Sequence, residues 1–230
     1  WLRVTLIAPM APRTKPKALN LGLGRTRAAL LTVFDAEDRP DPDQLHRAAA
    51  AFAEGPANLA CLQAALDVTR WRREDGWHGV QFARVYPVHS RRLMPAWAAL
   101  GWPIPLGGTS NHFRVAALRA CGGWDPYNVT EDADLGVRLA RDGWRIGLLD
   151  SATQEEAAPG LAAWLGQRSR WIKGHLQTWL VHMRDPAALV RDIGLWPALG
   201  LQITLLGSLA SAFLHLPLIA LAGVDAEGRI

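Results

Sequence analysis

Leu30-Leu31-Thr32-Val33-Phe34-Asp35-Ala36-Glu37-Asp38 is an apolar, β-rich run that stops abruptly in three carboxylates. A run of this length predicts a short strand. In open α/β sheets ligands bind beyond the carboxyl ends of strands, which is where these acids fall. Asp35 and Glu37 alternate along an extended chain, so both side chains can point the same way. Two such carboxylates can hold a divalent ion, and the ion can hold a diphosphate. A solvated acidic turn is the plainer alternative.

Strands and helices alternate on both sides of this run. Residues 4–8 are a short apolar run and 17–27 suit a helix, while Asp41-Pro42 starts a helix through Phe52 with proline in its first turn. Residues 59–68 read as a strand, 77–100 as mainly helical and 145–149 as another short strand. Thr130 precedes a helix that ends at Gly143. The pattern predicts an α/β domain over residues 1–158 with a largely parallel sheet.

From 159 the character changes. Leu161, Trp164, Leu165, Trp171, Ile172 and Leu176 recur at helical spacing, interleaved with Arg168, Arg170 and Lys173. Residues 159–192 therefore read as an amphipathic helix lying in a membrane interface, with a core-packed helix as the competing view. No charged residue falls between Ile193 and Val224, and that run exceeds the roughly 20 residues needed to cross a bilayer. We expect 193–230 to form an interfacial turn and one spanning helix, with the preceding domain on the cytoplasmic side.

The 230 residues are half hydrophobic and one-fifth charged, as in a globular chain. The chain opens on Trp1 without a Met or a signal-like run and reads as part of something longer. A net charge of +4 is too small to argue for nucleic acid, although Arg3, Arg13, Lys15, Lys17, Arg25 and Arg27 precede the first acid and can meet phosphates. Cys61 and Cys121 form no metal-like spacing and fit a reduced, cytoplasmic setting. Eleven Trp suit a protein that binds sugar rings, sits at a lipid interface, or both.

Two further clusters carry chemistry. Thr130-Glu131-Asp132-Ala133-Asp134 crowds acids into the first turn of a helix, just after Gly122-Gly123-Trp124. The helix dipole accounts for one or two of them. A carboxylate beside an acceptor site can also act as a general base on a hydroxyl. Gln167-Arg168-Ser169-Arg170-Trp171 places Gln167, Arg170 and Trp171 on one helical face. There Arg can neutralise a departing diphosphate, Trp can stack on a sugar ring and Gln can bond hydroxyls; interface anchoring competes with that role. Gly22-Leu23-Gly24 falls inside a presumed helix, and there is no Walker loop, zincin motif or nucleophile elbow. His46, His78, His89 and His182 have no metal-ligand spacing.

In order along the chain, residues 15–20, Asp35-Ala36-Glu37-Asp38, residues 107–111, Thr130-Glu131-Asp132 and residues 167–171 resemble the family-2 glycosyltransferases, and most closely the membrane-embedded, cellulose-synthase-like branch. The resemblance implies a GT-A fold, a Rossmann-like sheet binding a nucleotide sugar through Mg²⁺ or Mn²⁺. It implies that Lys17 and Asn20 lie near the nucleotide, and that Asp35 and Glu37 stand at the metal and diphosphate site. Asp132 would be the general base, with Glu131 beside it, and Gln167, Arg170 and Trp171 would bind the acceptor sugar and stabilise the leaving diphosphate. Gly108, Thr109 and Ser110 would line the acceptor pocket.

Glu37 stands where the family usually has a second Asp, and an earlier strand whose Asp holds uridine would precede this chain. The function implied is an inverting hexosyltransferase that passes sugar from a UDP-sugar, UDP-glucose or a relative, to a growing polysaccharide. It would work at the cytoplasmic face of the inner membrane, in contact with membrane lipid and with partner subunits for export. Single transfer to a lipid or short acceptor is the rival within the enzyme class, and a membrane scaffold with a decayed site is the rival outside it.

Overall fold

The computed structural model describes residues 5, 7, 11–70, 84, 86–156, 158 and 160–227, and for residues 69, 70, 208, 212 and 215–227 the backbone alone. Among the described residues five strands form one sheet: β1 (Leu30–Val33), β2 (Arg39–Pro40), β3 (Leu59–Arg70), β4 (Asn111–Arg114) and β5 (Arg145–Glu156), in the order β1-β4-β3-β5-β2. Only β3 and β5 pair in parallel; β1 with β4, β4 with β3 and β5 with β2 are antiparallel. The expectation of a largely parallel sheet is corrected on this point. Its cause is β4, a four-residue strand reading Asn-His-Phe-Arg, which lacks the apolar run that marks a buried strand. Two antiparallel steps restore direction, so β1, β3 and β5 still run the same way and their carboxyl ends share one edge.

β5 extends seven residues beyond the expected 145–149. Its second half alternates, with Ser151 and Thr153 buried and Asp150 and Gln154 exposed, the period of a half-buried strand. Helix α1 (Lys15–Arg25) precedes β1 with Pro16 in its first turn. Helix α2 is Gln44–Glu54, so the expected start at Asp41-Pro42 is corrected too. The Asp41 carboxylate instead accepts from Ala152 N (2.8 Å) and Ser151 Oγ (2.9 Å), which ties the segment to β5 before the helix begins. Residues 84 and 86–88 are helical, and a π-helical turn, His89–Leu93, leads into α3 (Met94–Ala99); residues 77–83 and 85 of the expected helix, and most of the 4–8 run, lie outside the described residues.

After β4 come α4 (Val115–Ala120) and α5 (Glu131–Arg141), the latter with Thr130 at its N-cap position and closed before Gly143 at φ 77°. Then follow α6 (Gly160–His182), α7 (Pro186–Ile193) and α8 (Leu195–Glu227), with Gly194 at φ 86° turning the chain between the last two. One core cluster joins the sheet to α1, α4 and α5 through Leu23, Val33, Phe113, Leu118, Leu135 and Leu139. A second packs α2 on the sheet through Phe52, Leu62 and Leu149. A third joins α5 to α7 and α8 through Val137, Leu189, Leu201 and Leu205.

The third cluster bears on the expected spanning helix. Among the described residues no single helix is long and apolar enough to cross a membrane; Pro186–Ile193 and Leu195–Ser211 reach that length and composition only as a pair bent by 116°. The near side of the uncharged run is spent on the domain: Leu201 and Leu205 are fully buried, and Gly200 lies against the Trp102 ring so closely that a Cβ there would overlap it. Cys61 and Cys121 are both free thiols.

Candidate active site

The acidic turn after β1 is stitched to residues 107–110, the segment that feeds β4. Asp35 N donates to Asp38 Oδ2 (2.8 Å) and to Thr109 Oγ1 (3.2 Å), and Thr109 Oγ1 donates to the same Asp38 oxygen. Gln63 of β3 holds the segment from behind, accepting from Gly107 N (2.9 Å) and donating to Thr109 O (3.0 Å). Ser110 is buried at φ 56°, a left-handed conformation uncommon outside glycine. Lys15, at the start of α1, donates to Asp35 Oδ1 and to Gly108 O (2.7 Å), so one ammonium bridges turn and loop.

Glu131 and Asp132 begin α5 on the other side of this loop. A Cβ at Gly108 would sit 3.4 Å from Asp132 Oδ2 and 3.9 Å from Lys15 Nζ, which places the lysine and the two carboxylates Asp35 and Asp132 around one glycine. Asp132 keeps a partly accessible edge, yet protein surrounds its carboxyl. Burial, with the neighbouring Glu131 charge, pushes it up to about 7, against the hydrogen bond from Ala133 N and the Lys15 charge. Burial also raises Glu131. On β5, burial and the charges of Asp38, Asp35 and Glu37 push Glu155 up to about 7. A carboxyl poised near neutrality is the group that general-base chemistry needs.

α6 docks on the α5 cap through its C-terminal half. Gly174 meets Thr130, where a Cβ would lie 2.6 Å from Oγ1 and 2.9 Å from Cβ. Asn128 Nδ2 donates to Thr178 Oγ1 (2.9 Å), and His182 Nε2 lies 3.1 Å from Asp134 Oδ1. Burial would raise the Asp134 carboxyl, but the His182 hydrogen bond and the Arg138 charge outweigh it and hold it low. The N-terminal half of α6 meets the site through aromatic rings. The Arg168 guanidinium lies 4.7 Å from the Trp171 ring centre and 5.6 Å from that of Trp164, and the Tyr86 ring stands 5.9 Å from Trp171, tilted 45°. Tyr86 is raised by burial and by the Glu155 charge, while Arg168 lowers it and Asp132 raises it. Tyr86 is thus within electrostatic reach of both Arg168 and Asp132. A cavity of about 350 Å³ lined by Gly123, Trp124, Asp134, Arg138 and His182 lies behind α5, away from Asp132.

The sequence decides what kind of site this is. A family model described as Glycosyl transferase family group 2 matches residues 30–224. The chain belongs to that family. Beta-monoglucosyldiacylglycerol synthase of Trichormus variabilis is 30% identical over 181 residues, 78% of this chain and 37% of the relative. Glucomannan 4-beta-mannosyltransferase 7 of Arabidopsis thaliana is 27% identical over 152 residues, 63% of this chain and 26% of the relative. The chain thus spans about a third of the length of these curated relatives. Mannosyltransferase PcManGT from Pyrobaculum calidifontis, solved in complex with GDP-Man and Mn²⁺, shares the fold with a TM-score of 0.56 at 21% identity, over 94% of this chain and 59% of that one. The fold is accordingly GT-A-like, with the mixed sheet described above.

Within this family member, the structure brings together Asp35, Gly108, Thr109, Glu131 and Asp132, five of the residues singled out from sequence, around Lys15. Glu37 is exposed, two residues beyond Asp35. Ser110 is turned into the protein, its hydroxyl buried without a hydrogen bond among the described residues. Asn20 is committed elsewhere: its amide accepts from Trp124 N (2.9 Å) and donates to Trp124 O (2.6 Å). Lys17 lies two residues from Lys15, about 200° around the helix from it. Gln167 is half-buried, with an Oε1 that accepts no hydrogen bond among the described residues. Arg170 is exposed, whereas Arg168 is half-buried against the rings. Sequence reasoning missed Lys15 as the bridging cation, Glu155, Tyr86 and the placement of Arg168. A helical wheel of α6 carries one usable signal, since 164, 168, 171, 175, 178 and 182 form a single stripe.

Among the described residues no three His, Cys, Asp or Glu side chains stand ready to enclose a metal ion. The acidic turn nevertheless fits one held in part by substrate. Asp38 is raised by burial and by the Asp35 and Glu37 charges, so negative charge accumulates there, and Asp38 Oδ1 is buried without a hydrogen bond among the described residues. Mg²⁺ and its relatives are commonly bound by one or two carboxylates plus substrate phosphates.

Proposed function

We propose that this chain is the catalytic region of an inverting hexosyltransferase that moves a sugar from a nucleoside diphosphate sugar to the hydroxyl of a growing polysaccharide. The observation that carries this reading is Asp132, a carboxyl held near neutral pKa beside Lys15 and Gly108 in a family group 2 glycosyltransferase. Asp132 takes the proton from the acceptor hydroxyl as its oxygen attacks the anomeric carbon from the side opposite the diphosphate. Asp35 and Glu37 would hold Mg²⁺ or Mn²⁺, which supplies charge neutralisation on the diphosphate when bound. Lys15 orients Asp35 and the 107–110 loop, and Arg170, exposed at the motif, meets the leaving diphosphate. Trp171 stacks on the acceptor ring. General-base help of this kind contributes roughly a hundredfold to ten-thousandfold.

A lipid acceptor is the second reading. It is supported by the name of the Trichormus relative and by Leu195, Trp196, Leu199 and Ile203, all exposed at the start of α8. Both readings put the site at the cytoplasmic face of a membrane, with Lys173 and Arg184 facing lipid headgroups. Membranes holding the full-length protein, supplied with Mg²⁺ or Mn²⁺ and a panel including UDP-glucose and GDP-mannose, test the proposal. Nucleoside diphosphate release that depends on the cation and vanishes in Asp132→Asn is expected. Lengthening glycan supports the first reading, and a single glycolipid product the second. Asp132→Asn at wild-type rate removes Asp132 as the base.

A further inference from the structure

The motif arginine of α6 is exposed, and the residue two places before it is not. Trp164, Arg168 and Trp171 are spaced four and three apart, so they share one stripe with Arg168 between the two indoles along the axis. Its guanidinium is within cation–π reach of both rings, at 5.6 Å and 4.7 Å from their centres. The Tyr86 ring closes on Trp171 from another element.

We propose that Arg168 is the positioning residue for Trp171: its guanidinium, seated between the Trp164 and Trp171 rings, fixes the indole on which the acceptor stacks. This rests on the acceptor role given to Trp171 above. A planar guanidinium stacks flat on an aromatic face, whereas a compact ammonium meets it only as a point charge, so arginine and lysine are not equivalent here. A freely rotating Trp171 would have to be ordered by each incoming acceptor, and ordering a side chain lowers affinity. Arg168 therefore sets acceptor binding through Trp171, without touching the donor.

Transfer kinetics of the full-length protein in membranes, varying donor and acceptor separately, decide the matter. Arg168→Met is expected to raise the acceptor KM by about five- to thirtyfold, the range of a partly desolvated cation–π contact. Donor KM should stay within about twofold, and Arg168→Lys should recover part of the loss. Trp171→Ala should raise acceptor KM at least as much, and Arg168→Met added to it should change little further, because the two residues act as one unit. Equal rises in donor and acceptor KM, or full additivity in the double variant, would overturn the proposal while leaving the acceptor reading of Trp171 intact. Unchanged acceptor KM in Trp171→Ala would remove that reading and the proposal with it. If Arg168→Met does not fold, as judged by its thermal melt, Arg168→Lys alone decides: it must raise acceptor KM selectively, and a wild-type value rejects the proposal.

Discussion

α5 and the N-terminal half of α6 both serve the candidate site, and they are held in opposite ways. Seven of the eleven residues of α5 are buried, and its core side chains pack against the sheet on one side and against α7 and α8 on the other. In the 23 residues of α6 the buried ones are Gly174, Thr178 and His182, all in the C-terminal half. The proposed base is thus fixed by the hydrophobic core, whereas residues 167–171 project from a clamp one turn further on. On the proposed reading, shape can adapt on the acceptor side without disturbing the Asp132 carboxyl. Each test below strikes one side of that contrast.

The largest effect is expected at Asp132. Asp132→Asn should lower kcat by about a hundredfold to ten-thousandfold while donor binding, followed by equilibrium titration, stays close to wild type. The same change should stabilise the fold at alkaline pH. A carboxyl raised from 3.8 to about 7 in the folded state contributes stability that is present at low pH and lost as pH rises through 7. The folded chain therefore carries a penalty of about 4 kcal/mol when Asp132 ionises. Denaturant unfolding at pH 5 and pH 8 should show the variant's advantage growing with pH; a constant difference would mean that Asp132 is not held in a desolvating core.

Gly174→Ala tests the clamp. Alanine in a helix is favoured over glycine by about 1 kcal/mol. Against that gain stands a Cβ 2.6 Å from Thr130 Oγ1 and 2.9 Å from Thr130 Cβ, distances that force a shift. Overpacking should win and cost about 1–3 kcal/mol. Thr130→Ala in the same chain should return most of it. If Gly174→Ala proves as stable as wild type, α6 is not clamped at Thr130 and the contrast fails.

Lys15→Met should act more gently on the base. Lys15 favours the ionised form of Asp132, so its removal raises that carboxyl further. The acid limb of kcat/KM, expected near pH 7, should then move to higher pH. A limb that stays in place would mean that Lys15 serves Asp35 and Gly108 alone.

How far these parts were legible differs with their physics. The strand ending in Asp35 and the helix starting after Thr130 were readable, because each joins an apolar pattern to a sharp polar boundary. β4 was not, since two of its four residues, Asn111 and His112, are buried polar groups that only the finished sheet accommodates. Lys15 looked like one member of a basic lead-in, and a contact 93 residues away with Gly108 leaves no local trace. Asn20 matched a motif, but its amide serves the backbone of Trp124 at 104 residues' separation. The exposed and half-buried arginines of α6 have the same chemistry in sequence, and only the direction of the helix separates them.

The smallest stability effect is expected at Arg170, and its smallness is informative. Arg170 is exposed and its Nη1 comes only within 4.0 Å of where a Cβ would stand on Gly166, so it contributes little to packing. Arg170→Ala should leave the unfolding free energy within about 0.5 kcal/mol of wild type, as surface changes usually do. Its effect should appear in kcat, because charge on the leaving diphosphate develops only in the transition state. A loss of several kcal/mol with kcat preserved would make Arg170 part of the scaffold, and the N-terminal half of α6 would then be held as firmly as α5. Unchanged stability with reduced kcat keeps the division of labour, with Arg168 holding the ring and Arg170 waiting for the phosphate.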